Sequence, residues 1–179
     1  MPPKWAIGYH QSRDTGVKED PEYKTYQEGT YEDHFCKYIE GHPYFGDVWP
    51  GKSAFPDFTN TKTREWWGRN HKFYSDMGIH GIWNDMNEPA VFNEMKTMDI
   101  KMLHGNNGHP KTHRELHNLY GLLMGESTYN GMKKLIGGDR SFLLTRAGYA
   151  SGTTHRVVYL PHGMIIGQKP YMKAVSMSL

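Results

Sequence analysis

The sequence predicts an α/β domain built on a parallel sheet. Short apolar segments at 4–10, 78–83 and 140–150 have the aromatic and aliphatic content of strands. Between them, two longer segments carry apolar residues at close to helical spacing. The order strand, helix, strand, helix, strand is that of a chain winding helices over a parallel sheet.

Each element has its own signal. "KWAIGYH" at 4–10 reads as a short strand, and the polar stretch 12–34, with Pro21 and Gly29, as loop or weak helix. Residues 37–60 hold glycine and proline turn signals around short aromatic runs, which predicts a hairpin followed by ordered loop. Thr59 or Asn60 can cap a helix that starts near Thr63, carries Trp66, Trp67, Phe73 and Met77, and stops at Gly78. "GIHGIW" is then a strand, and 93–112 is loop-like. Residues 113–135 predict a second helix with Leu116, Leu119, Tyr120, Leu123 and Met124 on one side. "RSFLLTRAGYA" at 140–150 predicts another buried strand.

The totals exclude several classes of protein. A chain of 179 residues fits one domain with a real core. The formal charge of +2 gives no field that would attract nucleic acid or an anionic membrane. Cys36 is the only cysteine, so no intrachain disulfide forms. No run approaches the ~20 apolar residues of a membrane span, and "MPPKWAIGYH" lacks the layout of a signal peptide. A cytoplasmic chain, with no nucleic-acid or membrane partner and no cofactor, is expected.

The stretch that asks for an explanation is "GIHGIWNDMNEPAVF", 78–92, where an apolar strand runs into Asn84, Asp85, Asn87 and Glu88. In parallel α/β folds the chemistry gathers at the carboxyl ends of strands. Thr145 and Arg146 fall at the same end of the later strand. A carboxylate there, beside an indole and amides, suits a nucleophile for sugar chemistry. Helix capping by Asn84 or Asp85 explains the same composition. Trp49, before Pro50-Gly51, reads equally as a loop anchor, and Arg146 as an ion-pair partner for Asp85 or Glu88. His104, His109, His113 and His117 cluster in sequence, with the last two spaced as on one helix face. The order "HRELH" is not that of a zinc hydrolase and no third ligand is evident, so a surface or capping role is expected and no metal.

"GIWNDMNEPAVF" resembles the nucleophile motif of glycoside hydrolase family 31, the α-glucosidase group. "PPKWAIGYHQ", "VWPGKSAFPDFTN" with "WWG", and "LLTRAGYA" resemble the same family in the same order, over roughly residues 1–12 and 17–150. The resemblance implies a (β/α)8 barrel and retaining hydrolysis of α-linked glucosides. It implies that Asp85 is the catalytic nucleophile. Trp49, Trp83 and Met86 would wall the subsite for the reacting sugar, and Arg146 would bind sugar hydroxyls. The implied partner is an α-glucoside or oligosaccharide.

Two departures limit what is implied. The family places two strand–helix units between the segments resembled by "GYHQ" and "GVKEDPEYKTYQEG"; here only Ser12, Arg13, Asp14 and Thr15 intervene. After Ala150 the family's acid/base aspartate should follow, but no Asp or Glu occurs from Ser151 to Leu179. The tail can be written in codons that, read in shifted frames, restore Gln-Arg and Asp-Asn pairs of the family. The expectation is therefore a partial barrel at 1–150, deleted near 12–16, with a non-family tail at 151–179 compatible with out-of-frame translation. Such a piece would be inactive for want of its acid/base. The alternative class is a non-catalytic carbohydrate-binding or interaction module.

Overall fold

The computed structural model of the chain describes residues 10–138, 141–147 and 157–159. The elements are β1 (His10–Asp14), β2 (Val17–Lys18), α1 (Lys24–Tyr31), β3 (Phe45–Val48), β4 (Gly51–Ala54), α2 (Thr61–Arg69) and α3 (Lys72–Asp76). They continue with β5 (Gly81–Asp85), β6 (Leu103–His104), β7 (Lys111–Thr112), α4 (His113–Leu135), β8 (Phe142–Thr145) and β9 (Val157–Tyr159). Strands β1, β5, β8 and β9 form one sheet in that order, and every neighbouring pair is parallel. Barrel closure needs more strands than these four described ones. A three-stranded antiparallel sheet, β2-β4-β3, is inserted between β1 and α2.

Several expectations need adjustment. The strand expected at 4–10 lies outside the described residues except for His10, and the described strand runs on to Asp14. The stretch expected as loop or weak helix therefore starts as strand and contains β2 and α1. The hairpin does form, with Val48 opposite Gly51 and Trp49-Pro50 at its tip. The helix expected to run to Gly78 breaks after Arg69 into α2 and α3. Asn70 Nδ2 donates to the Trp66 carbonyl at 3.1 Å and His71 Nδ1 to the Trp67 carbonyl at 2.8 Å. The His71 ring takes the Trp67 carbonyl in place of the His71 N–H, which turns to the Gly68 carbonyl at 3.2 Å and ends the α-helical ladder. Trp66 and Trp67 are buried as expected, while Phe73 and Met77 are exposed. The tail beyond Ala150 lies outside the described residues except for β9.

Helix α4 spans the residues that its periodicity predicts. The Thr112 N–H donates to Glu115 Oε2 at 3.0 Å, the reciprocal half of a capping box, and Lys133 and Lys134 oppose the dipole in the last turn. Leu116, Tyr120, Met124 and Met132 are buried. The main core lies between the antiparallel sheet, α2 and α4, around Phe55, Phe58, Trp66, Trp67 and Met124. Burial of each phenylalanine there stabilises by roughly 1.5–3 kcal/mol. A second cluster, Ile79, Ile82, Met132 and Leu143, seals the parallel sheet against α4.

Glycines fix how closely α4 approaches. A Cβ on Gly131 would stand 2.4 Å from Gly68 Cα of α2, and one on Gly121 would stand 2.6 Å from the Asn87 carbonyl oxygen. Both clashes are with backbone, which cannot swing aside. Gly131→Ala should therefore lower stability by about 1–3 kcal/mol, read as a reduced midpoint in chemical denaturation. An unchanged midpoint would mean that the two helices do not need this contact.

Candidate active site

The exposed and buried residues of β5 alternate. Ile82 and Asn84 are buried, and Gly81, Trp83 and Asp85 lie on the other face, half-buried. Asn84 is wholly buried, and its amide meets the Thr128 hydroxyl of α4 at 3.2 Å. Trp67 Nε1 donates to the same hydroxyl at 3.1 Å. Asn84 therefore joins the strand to the helix layer, leaving Asp85 on the face away from it. No helix begins at residues 86–89, which form a turn, so the capping explanation does not apply. The turn starts at Met86, whose φ of 54° is left-handed and costs a side-chain-bearing residue energy.

Asp85 accepts from the Met86 N–H at 2.8 Å and from Arg146 Nη1 at 3.0 Å. Arg146 Nη2 lies 3.1 Å from Glu88 Oε1, an ion pair whose geometry falls short of a hydrogen bond. One guanidinium thus bridges two carboxylates from the loop after β5. Its backbone is tied there too, with the Arg146 N–H donating to the Asn84 carbonyl at 3.3 Å.

Asn87 holds the two loops together. It is wholly buried; its Nδ2 donates to Thr145 Oγ1 at 2.7 Å, and its Oδ1 accepts from the Ala147 N–H at 3.1 Å. Gly121 lets α4 close over this junction. Glu88, His117, Asn118, Gly121 and Ala147 enclose a small pocket behind it.

The structure distributes the expected residues unevenly. Asp85 and Arg146 are in contact. Trp83 is half-buried beside them in β5, with its Nε1 buried and unpartnered among the described residues. Met86 is 3% exposed and belongs to the main core. Trp49 is 74% exposed at the hairpin tip, its ring edge-on to Phe92 with centroids 5.0 Å apart. Phe92 is held near the hairpin by its N–H, which donates to the Asp47 carbonyl at 2.8 Å. Phe92 had no signal of its own, and Asn87 stood out in the sequence only as one of the amides, because their partners are distant in the chain.

The histidines correct an expectation. His104 and His113 are wholly buried, not surface groups. His104 Nδ1 is 3.2 Å from Asp57 Oδ1, His104 Nε2 is 2.9 Å from His113 Nδ1, and His113 Nε2 is 3.0 Å from His117 Nδ1. Asp57 as a carboxylate only accepts, so His104 and His113 each donate from Nδ1 toward it and accept on Nε2, and His117 donates from Nδ1. Cys36 Sγ stands 3.5 Å from His104 Nδ1. Cys36, Asp57 and His104 present one ligand atom each within 4.8 Å of one another. The Asp57 oxygens already accept from Thr59, Asn60, His104 and Gly105. Burial alone would raise the Asp57 carboxyl; the hydrogen bonds from His104, Thr59 and the Gly105 N–H bring it below its ordinary value. Burial, and then the neighbouring His104 and His117, lower the His113 ring to about 3.

The glycosyl hydrolases family 31 TIM-barrel domain matches residues 14–161. The sequence is 68% identical over 146 residues to alpha-glucosidase 2 of Bacillus thermoamyloliquefaciens, covering 82% of this chain and 19% of that protein. It is 38% identical over 151 residues to neutral alpha-glucosidase C of Homo sapiens, covering 82% and 16%. The fold superposes with a TM-score of 0.76 on the glucosidase II alpha subunit with alpha3-Glc2 bound, at 32% identity, covering 84% of this chain and 16% of that one. The chain thus spans less than a fifth of the length of these relatives.

A ring held neutral in the fold makes stability depend on pH. Between about pH 6.5 and about 3 the unfolded chain binds a proton at residue 113 that the folded chain does not. This contribution is complete above pH 6.5 and is lost as the pH falls through that window. His113→Gln should flatten the acid side of a plot of urea-unfolding free energy against pH. A variant with the parent's slope would rule the ring out as the source.

Proposed function

Because the chain belongs to glycoside hydrolase family 31 and folds as part of its (β/α)8 barrel, we propose that it carries the nucleophile half of an α-glucosidase site. The observation that carries this reading is Asp85. It stands at the carboxyl end of a parallel strand, on the face turned from the helix layer, and is held by Arg146 and the Met86 N–H. The Asp85 carboxylate would attack the anomeric carbon of an α-glucoside to form a β-glucosyl-enzyme, which water then opens with net retention. Arg146 would steady the carboxylate and meet sugar hydroxyls. Trp83 and the open Trp49 would offer ring faces to the sugar. Met86, being buried, would act through the turn that aims Asp85.

The substrate class is an α-glucoside or oligosaccharide, the chemistry named for the similar α-glucosidases. Among the described residues no helix is long and apolar enough to cross a membrane. The single, buried and unpaired Cys36 agrees with a reducing compartment, and we take the cytoplasm as its place.

The tail supplies no second carboxyl group. Loss of an acid/base commonly costs ~10²–10⁴-fold. The purified chain should therefore turn over maltose, whose leaving oxygen needs that proton, far below the ~1–10³ s⁻¹ of ordinary enzymes. A 5-fluoro-α-glucosyl fluoride should nonetheless label Asp85, seen by peptide mass spectrometry, and Asp85→Asn should abolish the label. Labelling elsewhere would refute the nucleophile assignment. Binding of an α-glucoside that survives Asp85→Asn, with no label on the parent chain, would favour the carbohydrate-binding module instead.

A further inference from the structure

The reading above asks Arg146 to hold Asp85, yet the contacts of its side chain do not by themselves fix it. The arginine side chain is 36% exposed, against 17% for Asp85 and 19% for Glu88, so it is the most open partner of the bridge. The rotamer freedom lost in holding so long a side chain is comparable with what a part-exposed ion pair returns. The bridge is therefore only as well placed as the backbone that carries it.

One buried amide grips that backbone on both sides of the arginine. Asn87 Nδ2 donates at 2.7 Å to the hydroxyl of Thr145, the residue before Arg146. Asn87 Oδ1 accepts at 3.1 Å from the N–H of Ala147, the residue after it. Asn87 Nδ2 also donates to the carbonyls of Gly121 and Ala147, each 3.4 Å away. The Thr145 hydroxyl, having accepted from Asn87, donates to the Ala147 carbonyl at 2.9 Å and curls the chain around Arg146. The amide cannot be reversed, because its oxygen would then face two carbonyls and the Ala147 N–H would lose its acceptor. Asn87 and Thr145 are both buried, so water does not replace a lost partner. Helix α4 presses on the same joint: a Cβ on Gly121 would stand 3.0 Å from the Ala147 carbonyl oxygen.

We propose that Asn87 is a positioning residue for the nucleophile. By gripping Thr145 and Ala147 it sets where the Arg146 guanidinium stands, and through it the aim of Asp85. This rests on the reading of Asp85 as the nucleophile. A bond at either residue would fasten the two loops together. A grip on both neighbours of Arg146 also fixes the direction in which its side chain leaves the chain. Asn87 follows Asp85 by two residues in the same turn, so one short segment carries the nucleophile and the group that places its partner. The Asn87 amide is wholly buried and engaged by protein, so it acts through Arg146 and meets no sugar.

The test follows the labelling of Asp85 by 5-fluoro-α-glucosyl fluoride in the full chain, read by peptide mass spectrometry. Asn87→Ala should lower the limiting rate of labelling by about 10²-fold, the cost of a small misplacement of reacting groups. The reagent concentration that gives half the limiting rate should change little, because Trp83 and Trp49 still meet the sugar. Arg146→Lys, whose ammonium is a point charge without the guanidinium fork, should also label slowly, and adding Asn87→Ala to it should cost little more. A residue that merely keeps the chain folded would cost the same factor in both backgrounds. That result, or an unchanged rate in Asn87→Ala, would overturn the proposal. If Asn87→Ala does not fold, Thr145→Val carries the same comparison, since it removes the hydroxyl between Asn87 and Ala147 and keeps the shape of the side chain. Should the parent take the label on Asp85 while the losses are equal, the positioning role alone fails. Should the parent take no label on Asp85, both readings fail.

Discussion

Three carboxylates and one guanidinium meet at the carboxyl end of the parallel sheet, and the polar architecture around them answers to that imbalance. Arg146 engages Asp85 and Glu88 directly, and its charge also reaches Asp14. A guanidinium bridging acids in a partly buried place must be held in position, since a loose one would leave its partners uncompensated. Asn87 ties the loop after β5 to the loop after β8. Asn84 fixes β5 to α4, and Gly121 allows the helix to come close enough to cover the joint. The amides that crowd the end of β5 are therefore structural. They leave Asp85 as the half-buried group on the face turned from the helices.

How well each element could be read from the sequence follows from where its determinants lie. Helix α4 was legible to the residue because its apolar positions, its capping threonine and glutamate, and its terminal lysines are all local. The hairpin was legible for the same reason. The break between α2 and α3 was not, because it depends on the His71 ring turning back onto the Trp67 carbonyl while its N–H goes to Gly68. Hydrophobic spacing does not reveal which way a side chain turns. Strand β1 was hidden as well. "HQSRD" has no strand composition and is extended because it lies against β5.

The site divides along the same line. The contact between Asp85 and Arg146 was legible in the ion-pair reading of Arg146, while the catalytic roles that the motif resemblance implies for them stand as proposals. Asn87 and Thr128 take their meaning from partners tens of residues away. The histidines were visible as a cluster but were misplaced on the surface, because their spacing on a helix does not say that His104 arrives from a two-stranded ribbon to meet them.

The row from Asp57 to His117 has a direction, and that has a consequence for inheritance. Every ring presents its donor inward, so each position can be filled only by a side chain that both gives and takes a hydrogen on the correct sides. Replacing one ring leaves its neighbours with donor facing donor or acceptor facing acceptor. The four residues come from three separate stretches of sequence, yet they should drift as a single character, retained together or lost together across descendants of this gene.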